Sequence, residues 1–150
     1  TGVRTFEAAA WLRRAGADTT EVKRFFQIDP DTFKVRAKAI ANASFYDGGI
    51  ATSICEGENQ DAQVINAQVA DELLNIKGIR ASFVAGVNDR GITCISARSL
   101  GDINVQVLLE KIGGGGHLNT AGAQVKERPE EVLEIVLGLL EKGEKNESNT

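Results

Sequence analysis

Apolar residues recur at helical spacing in the first third of this chain and switch to other patterns beyond position 47. Thr5 is placed to cap a helix over residues 6–15, with Glu7 in its first turn and Gly16 as its stop. Thr19 or Thr20 can open a second, short helix on which Val22, Phe25 and Phe26 share a face. Asp29-Pro30 opens a third, with Phe33, Ala37, Ile40 and Ala41 on one side. Asp47-Gly48-Gly49 ends this helical part. Trp11, Phe25 and Phe26 would stay exposed in a monomer, so this segment is expected to meet a further surface, and a homodimer is an expectation.

Beyond the glycines, residues 50–55 predict a strand and residues 62–75 a helix carrying Ile65, Val69, Leu73 and Ile76 on one side. Residues 79–87 alternate, with Ile79, Ala81, Phe83, Ala85 and Val87 pointing one way. The turn Asn88-Asp89-Arg90-Gly91 leads into a second strand over 92–98, so the two make a β-hairpin. Val105, Leu108, Leu109 and Ile112 mark another helix. The run Gly113 to Gly116 and His117 then interrupts as a loop before a last strand over 121–125. Pro129 starts a final helix with Val132, Ile135, Val136, Leu139 and Leu140 as its stripe. The expected class is α/β, a mixed β-sheet flanked by helices and preceded by an N-terminal helical linker segment. The expected divisions are 1–47 for the linker, 48–143 for the sheet domain and 144–150 for a disordered polar tail.

Composition adds limits. Apolar residues make up 42% of the 150 and charged residues 25%, ordinary values for a globular chain. The net charge of −4 argues against a general nucleic-acid binder, which needs a basic surface to displace counterions. It does not exclude a small phosphate site. Cys55 and Cys94 sit among β-branched residues and are expected to be buried thiols. The absence of any Met, including at position 1, leads to the expectation of a piece of a longer protein.

The chemistry concentrates in one stretch. Four consecutive glycines are costly to order and are tolerated where side chains would obstruct something. Their amides could converge on an anion, and the chain's single histidine, His117, follows at once. A chain reversal after a helix is the plainer alternative. Arg98 ends an otherwise uncharged strand, suited either to a forked phosphate contact or to a surface salt bridge. Ser99 could donate to a ligand or stabilise a turn, and Asn104 could donate or cap the next helix. With one His, no Asp-His-His run and Asp29-Pro30-Asp31 explained as a cap, no hydrolytic metal constellation is legible.

Arg98-Ser99, Asn104-Val105, the glycine run with His117, and Thr120-Ala121-Gly122 together resemble the signature of the DHH-associated C-terminal domain. That domain follows the DHH catalytic domain in phosphodiesterases of the nanoRNase and cyclic-dinucleotide type. The family has Ala-Ala-Gly where Thr120-Ala121-Gly122 stands here. Residues 97–106 and 122–124 are similar to the membrane-anchored cyclic di-AMP branch, and residues 4–9 and 16–18 resemble the segment leaving the catalytic domain.

The resemblance implies a substrate-binding role for Arg98, Ser99, Asn104, Gly114, Gly115, Gly116 and His117, with no catalytic or metal-ligating residue in this chain. It implies manganese in the DHH domain, which would be a partner within the same longer chain. The substrate would be a cyclic dinucleotide or short oligonucleotide. The parent would be held in the cell membrane, with this part on the cytoplasmic side and free of direct membrane contact. A nanoRNase or 3′-phosphoadenosine phosphate phosphatase relative is the alternative. A nucleic-acid-binding or oligomerising appendage is a third.

Overall fold

The structure is a computed structural model and describes residues 2–147. The chain divides into two compact units, residues 1–33 and 34–150. The first holds α1 (Val3–Arg14) and α2 (Thr19–Arg24). Neither buries a residue, and Phe6, Trp11, Phe25 and Phe26 are all exposed. Helix α1 starts ahead of Thr5, from Gly2 with no side-chain cap. Helix α2 is capped by Asp18, whose carboxylate accepts from the Thr20 and Glu21 amides at 2.6 and 3.4 Å. A carboxylate also suits the positive end of a helix, which is why it displaces the expected threonine.

Helix α3 (Pro30–Ala41) straddles the division between the units. Asp29 holds its start, accepting from the Thr32 hydroxyl at 2.6 Å and from the amides of Asp31 and Thr32 at 3.0 and 2.9 Å. The Thr32 hydroxyl, then these amides, keep the Asp29 carboxyl below its ordinary range. The second half of α3 belongs to the second unit, where Ala39 is buried and its carbonyl accepts from the Ser53 hydroxyl at 2.6 Å.

The second unit continues with β1 (Ser44–Tyr46), β2 (Ile50–Glu58), α4 (Ala62–Leu74), β3 (Ala81–Val87), β4 (Thr93–Ser99), α5 (Val105–Glu110), β5 (Gly115–His117), β6 (Thr120–Val125) and α6 (Pro129–Glu147). Its strands form one six-stranded sheet in the order β1-β2-β3-β4-β6-β5. Strands β2 and β3 run parallel and every other pair antiparallel, so the sheet is mixed, as the sequence pattern predicts. Two strands depart from that pattern. Strand β1 is three residues long and exposed throughout, so it lacks the alternation that marks a half-buried strand. Strand β5 falls on Gly115 to His117, where a loop is expected. The tail expected to be disordered from residue 144 is helical through Glu147, and its last three residues lie outside the described ones.

Two apolar layers sandwich the sheet. Ala81, Phe83, Ala85, Ile95 and Ala97 meet α5 and α6 on one side. Ala51, Cys55 and Val84 meet Ile65, Val69, Ala70 and Leu73 of α4 on the other. Strand β3 is buried on both faces, so its polar member must be satisfied internally. The Ser82 hydroxyl donates to the Ala70 carbonyl at 2.7 Å. Asn66, wholly buried on α4, donates to the Cys94 carbonyl at 2.8 Å and fixes the helix over β4. Both cysteines are free and buried, and burial pushes the Cys55 thiol up to about 12 despite the nearby Arg36 charge. It stays protonated and unreactive at neutral pH.

Asn66 requires a bare neighbour on β3. A Cβ on Gly86 would lie 2.7 Å from the Asn66 Oδ1 and 3.1 Å from the Cys55 Cβ. Gly86→Ala is therefore expected to cost roughly 1–3 kcal/mol of stability, the range for overpacking a filled core. Equilibrium denaturation in urea measures it, and an unchanged midpoint would show that the Asn66 anchor is not rigid.

Candidate functional site

The helices cover the two sheet faces unequally. Helix α4 packs on β2, β3 and β4. On the opposite face α6 covers β2, β3 and β4, while α5 covers β4, β5 and β6. The α4-side face of β6 and β5 is therefore an open shelf. In an antiparallel pair, residues in register point to the same face, so the pairings say what stands on it. Arg98 pairs with Thr120, and Thr120 with His117. One row further along, Ser96 pairs with Gly122 and Gly122 with Gly115. Arg98 and Ser96 share their face with Ser82 and Val84, the α4 side. Arg98, Thr120 and His117 thus form one line across three strands, spanning about 10 Å between the outer two backbones.

Arg98 is held in place. Its side chain is only 16% exposed, its Nε donates to the Asp71 carboxylate at 2.8 Å, and its Nη1 donates to the Ala97 carbonyl at 3.0 Å. The salt bridge weighed as the plain alternative is thus present. It does not use up the group, because a guanidinium has five N–H donors and these two bonds occupy two. Asp71 is 61% exposed, so solvent screens much of the pair's attraction and its main effect is to fix direction.

The glycines separate by role. Gly113 has φ +82° and Gly116 has φ +154°, left-handed backbone that disfavours other residues. A Cβ on Gly114 would lie 2.6 Å from the Ala123 Cβ, and one on Gly116 would lie 2.9 Å from the Ala121 Cβ. Both are glycine because β5 lies close against β6. The amides of Gly113 and Gly114 donate to the Glu110 and Leu109 carbonyls at 3.1 and 2.8 Å, closing the end of α5. They are not free to converge on an anion. Gly115 differs: it is not in the left-handed region, and a Cβ there would meet nothing within 4 Å. The fold does not demand a glycine at that point.

Ser99 and Asn104 occupy the local roles weighed for them. Ser99 is buried on the α5 side, away from Arg98, and its Oγ accepts from the Gly101 amide at 2.8 Å. Asn104 is exposed and caps α5, accepting from the Val107 amide at 3.3 Å. Both flank contacts to the turn that carries His117. The Ser99 amide donates to the Asn119 carbonyl at 3.0 Å, and the Val105 amide to the Leu118 carbonyl at 3.1 Å.

Two shelf neighbours are not legible in the sequence. Asp71 and Gln63 lie on α4, and Asp71 stands 27 residues before Arg98, with no motif linking them. Only the α4 packing brings them there. Thr120 and Gly122 belong to the motif, but only the register shows that they face the shelf.

Elsewhere, a groove of about 350 Å³ runs beside β1, β2 and α6, lined by Asn42, Tyr46, Glu56, Glu130 and Glu134. Its carboxylates give it the wrong sign for a phosphate. Among the described residues, no three His, Cys, Asp or Glu side chains converge as a metal site would require.

Residues 47–142, the whole sheet unit from β2 onward, match the DHHA1 domain. The chain belongs to the DHHA1 family. It is 45% identical over 127 residues to the cyclic-di-AMP phosphodiesterase PdeA of Listeria monocytogenes, covering 85% of this chain and 19% of that protein. It is 46% identical over 129 residues to the cyclic-di-AMP phosphodiesterase GdpP of Geobacillus thermodenitrificans, with 85% and 19% covered. The bifunctional oligoribonuclease and PAP phosphatase NrnA of Thermus thermophilus is 27% identical over 134 residues, covering 85% of this chain and 41% of that protein. The fold also matches a crystal structure of an exopolyphosphatase-related protein from Bacteroides fragilis, with TM-score 0.76 and 21% identity over 95% of this chain and 44% of that one. The chain thus spans about a fifth of the named cyclic-di-AMP phosphodiesterases and corresponds to their DHHA1 part.

The glycine roles can be tested in this DHHA1 domain without any ligand. Gly114→Ala and Gly116→Ala should each cost about 1–3 kcal/mol of stability. Gly115→Ala should cost nothing or gain up to about 1 kcal/mol, by restricting the unfolded chain. Thermal melts of the three variants give the comparison, and equal losses at all three would refute the division of roles.

Proposed function

We propose that this DHHA1 domain holds the nucleotide of a metal-dependent cyclic di-AMP phosphodiesterase while a DHH domain of the same longer protein carries out hydrolysis. The observation that carries the reading is the line of Arg98, Thr120 and His117, which runs from β4 onto the part of the sheet, β6 and β5, that α4 leaves bare. A clamped guanidinium and an imidazole about two strand spacings apart offer donors to phosphodiester oxygens at separate points. Gly115, one row along from this line on β5, lets a ligand approach the β5 backbone beside His117. Fixing the substrate against this shelf would lower the entropic part of the barrier.

The manganese of this proposal belongs to the DHH domain, where it would supply activation of the attacking water. The described residues offer no ligand set for it, so no step through the metal is assigned to them. No described helix is long and apolar enough to cross a membrane, so anchoring of the longer protein would rest on other segments. The exposed Phe6, Trp11, Phe25 and Phe26 are suited to a contact with the DHH domain or with a second copy. A nanoRNase or 3′-phosphoadenosine phosphate phosphatase role is the second reading. The identity of 27% to NrnA, against 45% to PdeA, favours the first.

The purified chain is expected to show no metal-dependent turnover of cyclic di-AMP, and turnover free of contaminating enzyme would overturn the division of labour. In the longer protein, Arg98→Ala and His117→Ala should lower kcat/KM, for Arg98 by about 10- to 100-fold, the loss of a charge-assisted hydrogen bond. Metal content by elemental analysis should not change. If both variants keep wild-type kcat/KM, the shelf is not where the substrate sits.

A further inference from the structure

We infer that the groove between α6 and the β1 edge of the sheet binds a linear aliphatic polyamine, held by ammonium groups at two acidic ends and by methylenes along an apolar waist. The site lies on the opposite sheet face from Arg98 and at the opposite edge from His117, so it does not depend on the substrate-holding reading. Helix α6 packs on β2, β3 and β4, which leaves its outer flank standing beside β1. Ser44 pairs with Thr52 and Tyr46 with Ile50, so these four share the α6 face and form the groove floor. The groove of about 350 Å³ is continued by a second of about 310 Å³, and Tyr46 and Leu137 line both. Glu130, Glu134 and Glu141 follow the α6 wall, with Leu133, Leu137 and Leu140 among them. Glu134 and Glu141 are two turns apart, about 10 Å along the axis. Glu56 joins the first at one end and Asp47 the second at the other.

No Lys, Arg or His lines either groove. The nearby cations Lys38, Arg80 and Arg128 are engaged by Glu56, Asp102 and Glu131. Glu130, Glu134, Glu141 and Asp47 make no salt bridge among the described residues. The acidic end beside β2 also holds a polar group with nothing to bond. Thr52 is 4% exposed and points to the α6 face, into the first groove. Its neighbour Ser53 donates to the Ala39 carbonyl, but the Thr52 hydroxyl has no hydrogen-bond partner among the described residues. Buried hydroxyls are normally satisfied, so this one awaits a donor from outside the chain. The carboxylates select a cation. No three of them converge as a metal ion would require, so a single ion does not fit. Charge split between two ends with leucines between them matches a molecule whose own charges are split in the same way. An extended chain gains about 1.2 Å per bond, so ammonium groups about eight or nine bonds apart reach both ends. The methylenes between them lie against Leu133 and Leu137, and the Tyr46 ring adds an attraction for the cation.

The test is an NMR titration of the isotope-labelled 150-residue chain at low salt with spermidine, 1,8-diaminooctane and the shorter 1,4-diaminobutane. The two long amines should bind about fivefold more tightly than the short one, the worth of one added exposed ion pair, with amide shifts at Ser44, Thr52 and Leu137. Glu141→Gln should remove that preference, weakening the long amines about fivefold and leaving the short one as it was. Thr52→Val should weaken all three by about three- to tenfold, the loss of a hydrogen bond to a charged group. Glu110→Gln, on α5 and away from the groove, should change nothing. All variants should keep the spectrum of the folded chain outside the groove. Equal binding of the three amines, an equal effect of Glu141→Gln and Glu110→Gln, or no effect of Thr52→Val overturns the site. So does the absence of shifts at the groove in millimolar spermidine. An acetylated and amidated trilysine peptide carries the same charge as spermidine and should bind more weakly. Tighter binding of that peptide would assign the groove to a basic protein segment and overturn the polyamine.

Discussion

A helix is about 10 Å wide and strands are spaced about 4.8 Å apart, so one helix can roof only two or three strands. The sheet of this unit has six, and its α4 face receives one full helix and the end of a second. That mismatch of widths governs the surface. The other face is roofed by α5 and α6, so Ala121 and Ala123 of β6 are buried beneath them. The same strand turns Thr120, Gly122 and Gln124 toward the unroofed side. A strand half-buried in this way must alternate, and its polar or side-chain-free half stays on the open face.

Alternation is also what made much of the fold readable. Phe83 and its neighbours at even spacing marked one face of β3, and the Asn88–Gly91 turn marked the hairpin. The helices followed from their apolar stripes, with capping residues displaced where a better acceptor stood nearby, as Asp18 does before Thr19. Strands β1 and β5 were not readable, because each is three residues long at a sheet edge and carries no buried alternation. In β5 the residues are glycines, whose usual meaning is a loop. Here Gly116 pairs in the strand with no room for a side chain against β6, and Gly114 just before the strand is equally crowded.

The candidate site was legible to the extent that it is written in one segment. Arg98 and His117 lie 19 positions apart, near two ends of one motif, and the register of β4, β6 and β5 brings them into line. Ser99 and Asn104 lie in the same motif yet serve the turn and the helix start that hold the hairpin beside them. Asp71 and Gln63 could not be read, since their relation to Arg98 and Gly122 exists only through the packing of α4. Arg98 illustrates why the overall charge of −4 says little about such a site. Its cation is balanced by Asp71, and what it offers a ligand is direction more than net attraction.

His117 ends a strand with a partner on one side only. Three residues, two of them glycine, give that strand little local stability, since edge segments open at lower free energy than the strands between them. The imidazole therefore stands on an edge segment that costs little to move, whereas Arg98 stands on an interior strand and is tied at two points. A ligand spanning both would meet one jaw already set and another that must be ordered at the moment of contact. Part of its binding free energy would go into that ordering, giving up affinity in exchange for easy release of what has been bound.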